Sequence, residues 1–310
     1  MSLASNRKPT IVVTAADLAP EAQAILHEYE LVYAGEKPDE VGLVALCSEA
    51  QPVAILVRYG NVSARVFEAC RNLRVVSKHG VGIDNIDAEA AAARGIPVKA
   101  AAGVNSDAVA EHTWGFILNC AKSLPWLDDR MQAGHWDKST HKSLELKGRT
   151  LGLIGVGNIG RRVAAIGVAM GMRVIGYDPY ITAFPADVTS CSLDTLLRES
   201  DVVSLHCPLT SETRNIIDSR AFALMRKGAI LINAARGGLI DDTALLEALA
   251  GKRLRAAALD SFPVEPPPAD HALRGVAGIM MTPHVAGVSS DAYTNMGVAS
   301  ARNILAVLAP

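Results

Sequence analysis

Short apolar runs alternate along this chain with segments whose apolar residues recur at helical spacing, almost from end to end. Ile11–Val13, Ala54–Val57, Val75–Ser77 and Ile96–Val98 read as buried strands, each too short and too uniformly apolar for an amphipathic helix. Between them, Pro20–Glu30 and Ser63–Arg71 carry a helical period. Asp87–Arg94 repeats it, with Gly95 as a stop signal before the next strand. Strand, helix, strand, repeated in this way, predicts a parallel sheet covered by helices. A second block opens after Ala101-Ala102-Gly103 with a long apolar helix over Asn105–Cys120, for which Asn105 or Ser106 is a suitable cap. Alternation resumes with strands at Thr150–Ile154, Arg173–Tyr177, Val202–Leu205, Ala229–Asn233 and Ala256–Leu259, and with helices such as Ile159–Met170 and Asp242–Gly251. The final helix, Ser289–Leu308, comes after the last strand of this block and is expected to pack back on the first domain. The fold class is therefore α/β, with two doubly wound parallel-sheet domains of the Rossmann type.

Composition narrows the picture without changing it. A chain of 310 residues, half hydrophobic and one-fifth charged, suits two soluble domains and excludes intrinsic disorder. The net charge of −2 provides no basic excess for a phosphate backbone, so no nucleic-acid partner is expected. Five cysteines are scattered without a CxxC pair, which favours a reducing compartment over a disulfide framework, and no metal site is expected. No signal peptide and no apolar run of membrane-spanning length is present, so we expect a cytoplasmic protein with no membrane partner.

Gly155-Val156-Gly157-Asn158-Ile159-Gly160 is a GxGxxG placed after a predicted strand and at the start of a predicted helix. Gly155 permits the tight turn, Gly157 lets backbone approach a pyrophosphate, and Gly160 lets helix and strand pack closely. The helix start then offers N–H groups and a positive dipole end to the phosphates. Glycine loops also close ordinary βα turns, so the surrounding residues have to decide. Asp178 ends the next strand, where a carboxylate accepts hydrogen bonds from the adenosine ribose. Pro179 and Tyr180 come next instead of an Arg or Lys for a 2′-phosphate, which favours NAD over NADP.

From here the chain resembles the D-isomer-specific 2-hydroxyacid dehydrogenases, in particular the phosphoglycerate dehydrogenase-like branch. The resemblance rests on ordered blocks: Lys78-His79-Gly80-Val81-Gly82-Ile83-Asp84-Asn85-Ile86-Asp87; Gly103-Val104-Asn105 through Glu111-His112; the Gly155–Gly160 loop with Asp178; and His206-Cys207-Pro208-Leu209-Thr210 with Thr213. The remaining blocks are Asn233-Ala234-Ala235-Arg236-Gly237, Leu259-Asp260 with Glu265-Pro266, and Thr282-Pro283-His284. The resemblance implies two Rossmann-like domains with the active site in the cleft between them. Residues 1–102 with 287–310 would be the substrate domain and 103–286 the NAD-binding domain. It also implies the short form of the family, without the C-terminal regulatory domain and its serine feedback. Beyond the glycine loop and Asp178, it assigns His206, Cys207, Pro208, Thr213, Ala235, Arg236, Asp260, His284 and Gly287 to the cofactor.

Reducing a keto acid requires a hydride donor, a proton donor and a cation for the carboxylate. Histidine suits proton transfer near neutrality, a neighbouring carboxylate favours its imidazolium, and arginine grips a carboxylate through two parallel hydrogen bonds. The resemblance places Arg236, Glu265 and His284 in the catalytic roles: His284 as acid in reduction, Glu265 as its partner, Arg236 as the substrate clamp. Taken singly, Arg236 also reads as a solvated loop residue, Glu265 as a surface charge and His284 as a polar group at a strand end. Their joint position beyond predicted strands favours the site. Glutamate at 265, where related formate dehydrogenases have glutamine, argues against formate. Among the other histidines, His112 reads as a packed helix residue, and His135, His141 and His271 read as solvated.

For the substrate, Arg58, Tyr59 and Gly60 match the loop that cradles the carboxylate, and Gly80, Val81 and Gly82 match the facing loop. Arg58 and Lys78 add charge for a phosphate or second acid group, or are ordinary rim residues. Tyr59 replaces the small residue expected in phosphoglycerate-specific members. The expected substrate is a small 2-keto or 2-hydroxy carboxylate. A non-catalytic NAD(H)-sensing protein of the same fold is the second reading. Trp114, Phe116, Trp126 and Trp136, in segments more apolar than a lone domain needs, are expected to cover a partner subunit in a homodimer.

Overall fold

The structure, a computed structural model, describes residues 8–309. It divides into two compact units, 1–105 with 288–310 and 106–287. The first unit runs β1 (Thr10–Val13), α1 (Pro20–Ile25), β2 (Glu30–Tyr33), α2 (Glu40–Ala50), β3 (Ala54–Val57), α3 (Ala64–Ala69), β4 (Val75–Lys78), α4 (Ala88–Ala93) and β5 (Val98–Ala100). All pairings are parallel, in the order β2-β1-β3-β4-β5. Successive residues of β1 point to opposite faces, and both faces are dry. Val12 packs with Leu43, Val66 and Phe67 of α2 and α3, whereas Ile11 and Val13 pack with Ala22 of α1. The C-terminal helix shares that second layer through Ala301 and Ile304.

The second unit runs α5 (Ser106–Lys122), α6 (Leu124–Gln132), β6 (Thr150–Ile154), α7 (Asn158–Ala169), β7 (Arg173–Tyr177), β8 (Val188–Ser190), α8 (Leu193–Glu199), β9 (Val202–Leu205), α9 (Ser219–Leu224), β10 (Ala229–Asn233), α10 (Asp242–Ala250), β11 (Leu254–Leu259) and β12 (Ile279–Met281). The chain then returns to the first unit as α11 (Ser290–Leu308). The seven strands are parallel, ordered β12-β11-β10-β9-β6-β7-β8. Chain order reverses between β6 and β9, the topological switch point at which sheets of this kind receive a ligand beyond the strands' carboxyl ends. One face of the sheet packs on α5 and α7 and the other on α8, α9 and α10.

Three strands were not expected: β2, β8 and β12, each at the edge of its sheet. The segment read as one helix to Glu30 ends at Ile25, and Glu30 begins β2. Two of the four aromatic residues expected to face a partner subunit are also corrected. Trp114 is buried with its Nε1 donating to the Val163 carbonyl at 3.1 Å, and Phe116 is buried in the same core. Trp126 and Trp136 are exposed.

Candidate active site

The glycine loop sits at the switch point, between the ends of β6 and β9. Gly155 has φ +93°, and a Cβ there would stand 2.7 Å from the backbone of His206 and Cys207. At Gly160 it would meet the Gly155 carbonyl at 2.3 Å. A Cβ on Gly157 would meet nothing within 4 Å. The loop is therefore pressed against its neighbours below and open above, as a phosphate cradle requires. Gly157 precedes α7 and brings no side-chain cap, so the first N–H groups of the helix, around Asn158 and Ile159, face that opening with the helix dipole behind them.

Asp178, just past β7, accepts from the Val156 amide at 2.9 Å and, through its other oxygen, from the Tyr180 amide at 3.0 Å. Each oxygen keeps a lone pair for a ribose hydroxyl. His206, past β9, bonds Ser204 through Nε2 at 2.9 Å, and burial pushes its pKa down to about 4. Thr213 ties its own loop together, donating to the Pro208 carbonyl at 2.7 Å and accepting from the Thr210 amide at 2.7 Å. Cys207 is half-buried beside the glycine loop, and Ala235 holds its amide on Asn233 Oδ1 at 3.0 Å. Gly287, half-buried, is the last residue of this unit. These residues fit a dinucleotide.

The catalytic residues expected from the sequence come together past β10, β11 and β12. Asn233 at the end of β10 takes the Arg236 carbonyl at 2.8 Å, and Arg236 Nη1 donates to the Ala235 carbonyl at 2.8 Å. A Cβ on Gly237 would lie 2.1 Å from the Phe262 carbonyl carbon, so the Arg236 turn packs directly on the loop that carries Glu265. Glu265 Oε1 accepts from the Phe262 amide at 2.9 Å, and Oε2 meets His284 Nδ1 at 2.6 Å. His284 is held at φ +54°, a costly conformation for a non-glycine residue and one that clusters at functional sites.

The hydrogen bond to Glu265 holds the His284 pKa above its ordinary value. Burial opposes this, the Glu265 and Asp260 charges support it, and the Arg236 charge opposes it. For Glu265, burial is the largest single influence and opposes ionisation. The bond from His284, the Phe262 amide and the charges of His284 and Arg236 outweigh it and hold the carboxyl below its usual range. Both shifts favour the imidazolium–carboxylate form of the pair, and Arg236 is near enough to act on both.

Asp260, expected at the cofactor, is 1% exposed and holds the His284 loop from beneath. It accepts from the amides of Val285 at 2.9 Å and Ala286 at 2.8 Å, and from the Thr282 hydroxyl. His112 of α5 completes the group, its Nε2 3.2 Å from Thr282 Oγ1 and 3.8 Å from Asp260. From the sequence alone His112 reads as a packing residue; its place in a quoted motif block was the available signal. His141 and His271, read as solvated, are packed: His141 stacks on Trp126, and His271 is 14% exposed beside Asp242.

The first unit carries Arg58, Tyr59, Gly60, Lys78, Gly80, Val81 and Gly82 at the carboxyl ends of β3 and β4. Gly60 has φ +72°, and a Cβ there would strike the Pro38 carbonyl at 2.7 Å. Lys78 Nζ donates to Asn85 Oδ1 at 2.7 Å and to the Arg58 carbonyl at 3.3 Å, and Asn85 Nδ2 donates to the Gly60 carbonyl at 2.5 Å. Lys78 therefore ties the two loops together through Asn85, which the sequence did not single out. Tyr59 and Val81 are exposed, Gly82 is half-buried and Gly80 has φ +146°.

The family model for "D-isomer specific 2-hydroxyacid dehydrogenase, NAD binding domain" matches residues 114–286. A hydroxypyruvate reductase of Thermotoga maritima is 37% identical over 89% of this chain and 90% of the relative. A D-3-phosphoglycerate dehydrogenase of Methanocaldococcus jannaschii is 42% identical over 82% of this chain, which spans 49% of that relative. The TT0316 protein of Thermus thermophilus superposes with a TM-score of 0.88 at 34% identity, covering 96% of each chain. The chain belongs to the D-isomer-specific 2-hydroxyacid dehydrogenase family, oxidoreductases acting on CH–OH with NAD. No helix among the described residues is long and apolar enough to cross a membrane.

Proposed function

We propose that this protein interconverts a two- or three-carbon 2-keto acid, of the glyoxylate, hydroxypyruvate or phosphohydroxypyruvate type, and the corresponding D-2-hydroxy acid. The observation that carries the roles is the His284–Glu265 contact of 2.6 Å, with its two pKa values displaced in opposite directions. Bound NADH supplies the hydride that adds to C2. His284 has Nδ1 engaged by Glu265, so Nε2 is the nitrogen that gives its proton to the carbonyl oxygen and takes it back in oxidation. Glu265 stays ionised and balances the imidazolium. Arg236 pairs with the substrate carboxylate and polarises the adjacent carbonyl. Arg58, Tyr59, Gly60, Lys78, Gly80, Val81 and Gly82 form the substrate end, which assigns substrate binding to the first unit and the nucleotide to the second. Exposed Leu124, Trp126, Met131 and Trp136, on and just past α6, support a homodimer. The five free cysteines suit the cytoplasm.

The test is NADH oxidation with a panel of 2-keto acids, with NADPH and a His284→Ala variant alongside. Turnover of a short keto acid is expected, weaker with NADPH and reduced ~10²–10⁴-fold in the variant. NADH binding without turnover of any acid would replace the enzyme reading with a sensor. Analytical ultracentrifugation tests the dimer; a monomer at micromolar concentration removes it.

A further inference from the structure

The first sheet has its own switch point, between β1 and β3. The loop after β1 carries Asp17 and the loop after β3 carries Arg58, and the two meet, with Arg58 Nη1 donating to Asp17 Oδ1 at 2.9 Å. Tyr293 of α11 donates its hydroxyl to the same oxygen at 3.1 Å. The Arg58 guanidinium carbon lies 4.9 Å from the ring centre of Tyr59 and 4.7 Å from that of Tyr293. Arg58 is 21% exposed while Asp17 is 71% exposed, so the carboxylate is the more open member of the pair.

Arg58, a cation that the proposed function offers to a second acid group on the substrate, is therefore matched by an internal anion and flanked by two rings. His79, buried with its ring 5.4 Å from that of Tyr293, adds no compensating charge. Burial first, then the Arg58 and Lys78 charges, push its pKa down to about 4 despite backbone hydrogen bonds that favour the charged form. Lys78 directs its ammonium to Asn85 and the Arg58 carbonyl, where it joins the loops. An incoming phosphate or second carboxylate would have to displace Asp17 from Arg58 and then remain beside it. Selectivity built from a repulsive group is as effective as one built from an added contact.

We infer that Asp17 is a specificity-determining residue, which by pairing with Arg58 restricts the protein to 2-keto acids whose substituent beyond C2 is uncharged. This rests on the keto-acid reading above and narrows it. The experiment measures kcat/KM with NADH for glyoxylate, hydroxypyruvate, phosphohydroxypyruvate and oxaloacetate, in wild type, Asp17→Asn, Asp17→Glu and Arg58→Gln. Wild type is expected to favour hydroxypyruvate over its phosphate ester by about tenfold or more. Asp17→Asn should shrink that ratio by about tenfold, chiefly through the KM of the phosphorylated acid, and Asp17→Glu should restore it. Arg58→Gln, which leaves the carboxylate unbalanced, should enlarge the ratio, and this arm stands alone if Asp17→Asn does not fold. Equal efficiency of wild type on both acids, or a ratio that neither substitution moves, overturns the filter and leaves the oxidoreductase reading intact. No NADH oxidation with any of the four acids overturns both.

Discussion

The two sheets share a parallel, doubly wound plan, but they furnish their switch points in opposite ways. In the seven-stranded sheet the crevice is bare backbone: Gly155 presses on the chain after β9, and the space over Gly157 is open. In the five-stranded sheet side chains fill it. Thr14 Oγ1 donates to the Tyr59 carbonyl at 2.6 Å and accepts from the Arg58 amide at 2.9 Å, while Asp17, Arg58 and Tyr293 cover the outside. A pyrophosphate is held by several N–H groups and a helix dipole, and any side chain in their way weakens it. A small acid has too few atoms for that grip and is selected by a few groups fixed in place. Under the proposed function, one topology would serve either ligand, according to the residues in the loops after its strands.

The contrast is most exposed to test at the glycines. Gly155→Ala, with φ +93° and backbone 2.7 Å from the new Cβ, should cost about 2–4 kcal/mol of stability, measured as a fall in Tm. Gly157→Val should leave Tm near wild type yet weaken NADH binding by about tenfold or more in calorimetry, because its side chain enters the open space expected to receive a phosphate. Equal destabilisation at both positions would mean that the loop is tight packing and not a cradle.

A smaller effect bears on the catalytic side. In the proposed mechanism reduction needs protonated His284, whose pKa is raised chiefly by the Glu265 bond. The rate should therefore persist at low pH and fall as pH rises through that elevated value. Glu265→Gln should move the fall to lower pH, and an unmoved alkaline limb would remove Glu265 from its role. The stability linkage has matching signs. The raised His284 pKa contributes stability below the unfolded histidine pKa that is lost as pH rises through the folded one. The depressed Glu265 pKa contributes stability above the unfolded carboxyl pKa that is lost as pH falls through the folded one.

At His112 the change should be slighter still. His112→Ala should lower kcat about three- to tenfold with little change in KM, since it acts only through Thr282 and Asp260 on the His284 loop. His112→Asn, which keeps a polar partner for Thr282, should recover most of the loss. A change confined to Tm would make His112 a packing residue after all.

Strands buried on both sides were legible, and three of the four edge strands were not; the fourth, β5, was expected at Ile96–Val98 and lies at Val98–Ala100. Ala54–Val57, Thr150–Ile154 and Ala229–Asn233 are buried at every position and stand in the sequence as continuous apolar runs. β2, β8 and β12 are three or four residues long and partly or fully exposed at most positions, and the short apolar stretches in two of them, Leu31-Val32 and Ile279-Met280-Met281, did not stand out from loop sequence. Burial also misled in the other direction. The apolar stretch over 105–136 held no sign that Trp114 and Phe116 face their own sheet while Trp126 and Trp136 face outward.

Local pattern was sufficient for the parallel α/β class and for the GxGxxG loop with Asp178, while Arg236, Glu265 and His284 were proposed as the catalytic residues through the resemblance carried by several separate motif blocks. Three-dimensional packing was needed to place Asp260 and His112 beneath His284, to join Lys78 to Gly60 through Asn85, and to set Asp17 against Arg58. Those pairs are separated by 148, 25 and 41 positions for His112–Asp260, Asn85–Gly60 and Arg58–Asp17. A hydrogen bond or ion pair depends on where strand order brings loop ends together, and no local pattern records that distance.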